Sequence, residues 1–164
     1  MDKERPYFYE TDVEWTGERE GELRSPNLPT LEIAAPPEFH GPERRWTPEH
    51  LYVASVGACF MTTFLAIAQL SKLEFLSFSV KAKGKLEKME ALGYQMTEIV
   101  LRPRAVLRSN RDFDRATRIM EQTGKNCLIS KSIKTVIKIE PELFVAQEPT
   151  VPCPPISDPI PSNG

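Results

Sequence analysis

The feature that most constrains this chain is its uncharged middle, because no residue from Leu51 to Leu70 carries a charge. Thr47, Pro48 and Glu49 precede it as a hydroxyl cap, a proline at the first helical position and an acid in the first turn, which is typical of a helix start. Such a helix is long enough to cross a bilayer, and a helix that is apolar on all sides must be buried somewhere. The sequence therefore allows either a membrane span or a core helix packed between a sheet and a partner helix.

The composition of this helix and of its neighbours favours the core helix. Polar residues such as Ser55 and Gln69 interrupt the stretch, and no basic cluster flanks it, as is usual beside membrane helices. The segments 76–86 and 94–108 alternate between apolar and polar residues, as long strands with one buried face do. In the second segment the alternation slips over residues 96–99, which predicts a β-bulge there.

Shorter elements complete the expected fold, which is α+β, with a mostly antiparallel sheet packed on a long buried central helix. These elements are, in chain order, a strand from Tyr7 to Trp15 with one buried face, a turn over 16–21, a short strand at 31–33, a helix capped by Asn110 and ending at Gly124, a short helix capped by Asn126 and starting at Cys127, and a strand over 133–139.

Length and charge limit the class of protein. One domain is expected over residues 1–146, followed by a proline-rich tail over 147–164 that cannot form a helix or a central strand. The net charge of -2, with basic residues scattered among acidic ones, argues against binding to nucleic acid. The first residues show no apolar leader, so we expect a cytoplasmic protein in a reducing compartment.

Three cysteines and two histidines are the residues suited to redox or metal chemistry. His40 and His50 are not spaced as zinc ligands are, and no CxxC pair is present, so neither a metal nor another cofactor is expected. Cys153 lies between two prolines in the tail and is expected to be an incidental exposed thiol. The other two, Cys59 and Cys127, are either inert core thiols or thiols with a chemical role.

These two cysteines differ in their local setting. Taken alone, Cys59 is best explained as a small core residue, because it lies in the middle of the apolar helix and free cysteines are among the most buried residue types. Cys127 starts a predicted helix, where the dipole and the free amide groups favour a reactive thiolate. If Cys59 reacts, another group must lower its pKa, because it lies about three turns into its own helix.

Three short motifs resemble the hallmarks of the OsmC/Ohr family, the osmotically inducible protein C and organic hydroperoxide resistance proteins. Residues 46–51, WTPEHL, and residues 58–60, ACF, are similar to the helix that carries the family's first cysteine. Residues 127–131, CLISK, resemble the second hallmark, usually written CPxS. Residues 17–21, GEREG, resemble the turn that supplies the family's arginine.

The resemblance extends from Tyr7 to Phe144 and leaves out only the proline-rich tail. Two departures from the family pattern suggest a divergent branch. Leu128 stands in place of the usual proline after the second cysteine, and Glu18 stands in place of a glycine beside the arginine. Neither departure removes a reacting group, but the substrate of such a branch can differ from the family's usual one.

The resemblance implies an intertwined homodimer of α+β subunits that reduces organic hydroperoxides with electrons from a dithiol or a lipoyl protein. Carried over to this chain, it makes Cys59 the peroxidatic cysteine and Cys127 the thiol that resolves its sulfenic acid as a disulfide. Arg19 is then expected to pair with the Cys59 thiolate and to bind the peroxide, and Glu49 to orient the guanidinium. Ten helical positions, roughly 15 Å, separate Glu49 from Cys59, so the active site is expected to be shared across the dimer interface.

Two other functions stay open from the residues. The first is a hydrophobic-ligand-binding or stress-related protein on the same fold, with structural thiols. In that case Phe60 and Met61 either wall a pocket for an alkyl tail or simply fill the core. The second is a membrane-anchored protein with residues 51–70 as its span.

Overall fold

The chain forms two sheets and three helices in a computed structural model that describes residues 5–146. The predicted tail over 147–164, with Cys153, lies outside the described residues. The elements are β1 (Asp12–Gly17), β2 (Glu20–Arg24), β3 (Leu31–Ala34), α1 (Pro48–Leu70), β4 (Phe75–Met89), β5 (Gly93–Leu107), α2 (Phe113–Asn126), α3 (Leu128–Ser132), β6 (Val136–Ile139) and β7 (Glu142–Val145). The α+β class predicted from the sequence is confirmed.

Helix α1 begins as the sequence predicts. The Thr47 hydroxyl accepts a hydrogen bond from the His50 N–H at 3.3 Å, and Pro48 is the first helical residue. This cap satisfies one of the N–H groups that the first turn leaves free.

Within the described residues, only one face of α1 is buried. Residues four apart lie on the same side of a helix, and Val56, Phe60, Phe64 and Ala68 form such a row with at most 1% of their surface exposed. On another side, Met61 and Leu65 keep 38% and 40% of their surface exposed, and Ala54 and Ala58 are exposed with them. The sequence predicts that α1 is buried on all sides, and the structure shows this burial on one side only.

By length and composition α1 also passes as a candidate membrane span. Core helices pass the same test, and the buried row of α1 lies in the domain's core. The role of α1 in the fold is therefore that of a core helix with one face left open.

The larger sheet is built around β5. Strands β4 and β5 pair antiparallel along their whole length, and β6 and β7 both pair with β5 in parallel. The predicted bulge is confirmed, because Lys85 pairs with Glu98 whereas Leu86 pairs with Met96, which leaves Thr97 without a partner residue. The sheet is thus antiparallel on one side of β5 and parallel on the other.

The core lies between α1, α2 and the inner face of this sheet. The Phe64 ring of α1 stacks on the Phe78 ring of β4, with centroids 3.9 Å apart and planes 7° from parallel. Burying such a side chain contributes about 1.5–3 kcal/mol, so the row on α1 is a main source of the domain's stability. Helix α2 adds the buried Ala116, Ile119 and Met120.

The first three strands form a separate antiparallel sheet in the order β1–β2–β3. The sequence prediction of a strand from Tyr7 to Trp15 with one buried face is wrong in two respects. The strand begins at Asp12, and Tyr7, Tyr9, Val13 and Trp15 stay 66% to 92% exposed. The reason is that the core comes from α1, α2 and the larger sheet, so that nothing within residues 5–146 covers this face.

The start and end of α2 also differ from the sequence prediction. Ser109, not Asn110, provides the capping hydroxyl, which accepts a hydrogen bond from the Arg111 N–H at 3.3 Å. A short 3-10 turn then leads into α2, which continues to Asn126 instead of ending at Gly124. Glycine destabilises a helix by only about 1 kcal/mol, so the helix continues past it.

The segment after α2 differs in a similar way. Asn126 does not cap α3, because its side-chain amide donates to the Gln122 carbonyl at 2.8 Å and so closes the end of α2. Cys127 itself holds the N-cap position of α3. The single strand predicted over 133–139 is replaced by β6 and β7, of which β7 was not predicted.

Candidate active site at Cys59 and Cys127

Cys127 occupies the one position between α2 and α3. Its N–H donates to the Thr123 carbonyl at 2.9 Å, and its own carbonyl accepts from the Lys131 N–H at 3.2 Å. With φ -61° and ψ 113° the residue is extended, so the chain turns sharply here. This turn brings the start of α3 against α1, on the side where Cys59 lies.

The sulfur of Cys59 accepts hydrogen bonds from four donors. The Ile129 N–H donates at 3.4 Å, and the Cys127 thiol, the Thr63 hydroxyl and the Leu128 N–H also contribute. Burial of the half-buried Cys59 alone would raise its pKa, but these four hydrogen bonds outweigh burial and hold the pKa of the Cys59 thiol below its ordinary value. The groups of α1 and α3 therefore favour the thiolate form of Cys59.

The pKa of Cys127 is shifted in the opposite direction. It is fully buried, and burial raises the pKa of its thiol even though the Ser130 hydroxyl donates to its sulfur at 3.1 Å. The Cys127 thiol donates a hydrogen bond to Cys59, and both cysteines are free. The α3 amides divide between the two sulfurs: the N–H groups of Leu128 and Ile129 act on Cys59, and the N–H of Ser130 acts on Cys127, where burial outweighs it.

The structure places the predicted Arg19 away from Cys59. Arg19 follows the β1–β2 turn and lines a surface pocket of about 490 Å³ with Glu18 and His40. Among the described residues, the groups that act on the Cys59 sulfur come from α1 and α3, and Arg19 is not one of them. Within one chain the activation expected from Arg19 is therefore supplied by other groups.

The departure at Glu18 has a structural cost. Glu18 has φ 42°, in the left-handed region, where a residue other than glycine costs about 1–2 kcal/mol. A glycine at this position, as in the family pattern, would avoid the strain. The turn still places Arg19 at the start of β2, where its carbonyl accepts from the Ala35 N–H at 3.1 Å.

Glu49 lies in the first turn of α1 and does not reach Cys59 either. Its Oε2 atom is buried and has no hydrogen-bond partner among residues 5–146. Buried polar atoms in folded proteins nearly always have a partner. This carboxylate oxygen therefore needs a donor from outside the described part of the chain.

Glu49 lines a groove of about 950 Å³ along the open face of α1. Trp46, Val53 and Met61 belong to its mostly apolar wall. The two residues considered as pocket walls differ, since Met61 lines the groove whereas Phe60 is fully buried in the core. Ala58 also lines it, but Cys59 faces α3 instead.

Four groups around the two sulfurs were not predicted. Thr63 is four residues after Cys59 and Ser130 three residues after Cys127, spacings that place side chains on the same side of a helix. These two could have been found from that spacing once both cysteines were under consideration. The N–H groups of Leu128 and Ile129 could not, because every residue except proline has one.

Comparison with known proteins gives one family. A family model described as OsmC-like protein matches residues 41–142 of the 164. No curated protein matches the chain.

Solved structures share the fold at low sequence identity. An OsmC-like protein of unknown function from Vibrio cholerae is 22% identical, with a TM-score of 0.76 over 83% of this chain and 99% of that one. An organic hydroperoxide resistance protein from Elizabethkingia anophelis is 21% identical, with a TM-score of 0.70 over 87% and 99% of the chains. Another, from Legionella pneumophila, is 20% identical, with a TM-score of 0.64 over 85% and 100%. At these identities the likeness establishes the fold.

Proposed function

This chain belongs to the OsmC-like protein family, and from that premise we propose that it is a thiol-dependent peroxidase that reduces organic hydroperoxides to alcohols. The observation that carries the proposal is the unequal pair of thiols. Hydrogen bonds hold the pKa of Cys59 below its ordinary value, and burial raises the pKa of Cys127 beside it. Such a pair suits a peroxidase that forms a disulfide, because only a thiolate attacks the peroxide.

The reaction follows from this arrangement. The Cys59 thiolate attacks the outer oxygen of the hydroperoxide, the O–O bond breaks, and the alkoxide takes a proton to leave as an alcohol. Cys59 is now a sulfenic acid. Cys127 loses its proton and attacks the Cys59 sulfur, which forms the disulfide. The displaced hydroxide takes up a proton and leaves as water. A dithiol or a lipoyl protein then supplies two electrons and two protons by thiol–disulfide exchange.

We further propose that the working form is a homodimer in which the open face of α1 meets a second copy. Met61 and Leu65 are exposed on that face, and Val13 and Trp15 are 66% and 74% exposed on the first sheet. Apolar surfaces of this kind mark interfaces. The unpaired Oε2 of Glu49 lies in the groove on the same side.

In such a dimer the charged side chains of Arg19 and Glu49 can pair with each other. We infer that the Arg19 guanidinium donates to the Glu49 carboxylate and that the pair approaches Cys59 of the other subunit. There it binds the peroxide oxygens and stabilises the leaving alkoxide. Within one chain, ten helical positions keep Glu49 roughly 15 Å from Cys59 along the axis of α1. An isologous contact about a twofold axis makes two identical shared sites.

Mass spectrometry after addition of one equivalent of cumene hydroperoxide tests the peroxidase. The expected product is a disulfide between Cys59 and Cys127, together with one equivalent of cumyl alcohol. The protein should carry Cys153→Ser, so that the third thiol cannot exchange with the pair. Unchanged thiols and unconsumed hydroperoxide would end the peroxidase proposal.

The groove of about 950 Å³ favours a second candidate function, the binding of a hydrophobic ligand. Its volume and mostly apolar wall suit a small apolar molecule. Binding of a fluorescent fatty acid, with no loss of thiols when cumene hydroperoxide is added, would favour this function. We propose that either function is carried out in the cytoplasm, where thiols stay reduced.

A further inference from the structure

Ser130 is tied to Cys127 by two groups. Its hydroxyl donates to the Cys127 sulfur at 3.1 Å, and its backbone N–H acts on the same sulfur. Cys127 in turn donates to Cys59. The three side chains thus form one chain of hydrogen bonds that runs from the Ser130 hydroxyl through Cys127 to the Cys59 thiolate.

The second chemical step depends on Cys127 becoming a thiolate. Cys127 is fully buried, and burial raises the pKa of its thiol. Cys59 of α1 is the titratable neighbour that acts on it, and a thiolate at Cys59 disfavours a second one beside it. Once Cys59 is a sulfenic acid, that negative charge is gone. The remaining groups that favour ionisation of Cys127 are both from Ser130.

We propose that Ser130 is the positioning residue for the resolving step, holding the Cys127 sulfur and stabilising its thiolate through the hydroxyl. This role rests on the proposed peroxidase function and deepens it. In the step, Cys127 S–H gives its proton to solvent, and the resulting thiolate accepts the Ser130 hydrogen bond. It then forms the S–S bond as the S–O bond of the Cys59 sulfenic acid breaks, and hydroxide leaves as water. The same hydrogen bond stabilises Cys127 as the leaving thiolate when a dithiol attacks Cys59 of the disulfide.

The substitution Ser130→Ala isolates the hydroxyl, because it keeps the backbone N–H and alanine is the best helix former. Ser130→Thr is the matched control, since it restores a hydroxyl on the same carbon. The hydrogen bond goes to a charged group, but sulfur is a weak acceptor, so we expect disulfide formation to slow roughly fivefold to tenfold. All variants carry Cys153→Ser.

The first measurement is a single turnover with cumene hydroperoxide, in which a dimedone trap for sulfenic acid is compared with the yield of disulfide. In Ser130→Ala, Cys59 is oxidised, the trapped sulfenic acid increases and the disulfide forms slowly, whereas Ser130→Thr recovers most of the parental rate. Disulfide formation at the parental rate in Ser130→Ala would overturn the proposal.

The second measurement does not need peroxide. In a Cys59→Ser background, the thiolate absorbance of Cys127 is titrated with and without Ser130→Ala. Loss of the hydroxyl should move this titration to higher pH, and an unchanged curve would overturn the role of Ser130. If the hydroperoxide leaves the parent protein unoxidised while the titration moves, the peroxidase function fails and the resolving step fails with it, whereas the stabilisation of the Cys127 thiolate by the Ser130 hydroxyl stands.

Discussion

The variant Leu128→Pro should make Cys59 less acidic without unfolding the protein. Leu128 is the first residue of α3, and proline is favoured at the first position of a helix, where its N–H is not needed by the helix itself. The preceding Cys127 is already extended, as a residue before proline prefers to be. The substitution therefore removes one N–H from the sulfur of Cys59 and leaves the backbone path unchanged.

The magnitude follows from the hydrogen bonds at that sulfur. Four donors act on it, and the Leu128 N–H is the weakest of them, behind the Ile129 N–H at 3.4 Å. A typical net contribution of about 1 kcal/mol corresponds to roughly a fivefold change in an ionisation equilibrium, which we take as the upper limit. Because the hydrogen bond favours the thiolate, its loss raises the pKa of Cys59 and shifts the ionisation equilibrium toward the thiol by about twofold to fivefold.

The assay is the rate of Cys59 alkylation by iodoacetamide as a function of pH, in protein that carries Cys153→Ser. The curve for Leu128→Pro should lie at higher pH than that of the parent. Leu128→Ala is the control, because it removes the 67% exposed side chain and keeps the N–H, and its curve should match the parent. If the curves of Leu128→Pro and the parent coincide, the backbone amides are not what lowers the pKa of Cys59.

Three further predictions concern the reacting and charged groups. Cys59→Ser should abolish hydroperoxide reduction and leave the circular dichroism spectrum unchanged, because a hydroxyl is nearly isosteric with a thiol but a poor nucleophile. Cys127→Ser should complete one turnover and then accumulate Cys59 as sulfenic or sulfinic acid, which mass spectrometry detects. Arg19→Ala should lower kcat/KM for cumene hydroperoxide by about tenfold or more, and Arg19→Lys should recover only part, because lysine lacks the planar fork of donors; equal losses in both would argue for a purely structural role. Mixing Cys59→Ser with Glu49→Ala subunits should restore up to half of the parental activity per mixed dimer, and confirmed exchange without recovery would rule out a shared site.

The elements that the sequence predicts well are those with long, uninterrupted patterns. β4 and β5 were found because apolar and polar residues alternate over many positions, and α1 because a helix-start signature precedes a long run without charge. Even the bulge at Thr97 was visible, since one extra residue breaks the alternation. The short strand β7 was missed because four residues after Pro141 contain too little pattern to distinguish a strand from a loop.

The buried face expected for the first strand shows a different limit. Alternation tells which side of a strand is apolar, but not which surface covers it. Val13 and Trp15 share that apolar side and stay exposed in the single chain. A partner subunit that covers them would reconcile the pattern with the structure, as it would for Met61 and Leu65 on α1.

For the candidate site, the residues were predicted better than their roles. Cys59 and Cys127 were paired by resemblance, and the structure brings them together. The resemblance made Cys59 the thiolate, but what shifts the two pKa values within the subunit was not predictable, because it rests on backbone N–H groups and on the depth of burial. Neither of these has a residue-type signature before the fold is known.

In the proposed dimer, two kinds of activation would meet at Cys59, and they would come from different levels of structure. The hydrogen bonds from α1 and α3 lie within one chain, so the ionisation of the thiol is a property of the folded subunit. Among residues 5–146, one buried oxygen of the Glu49 carboxylate has no hydrogen-bond donor, and folded proteins seldom leave such an atom without a partner. The Arg19 guanidinium, if it reaches Glu49 only in the dimer, would donate a hydrogen bond to this oxygen and place a fixed positive charge where the alkoxide forms. The subunit would then prepare the nucleophile, and the assembly would supply the charge that stabilises the leaving group.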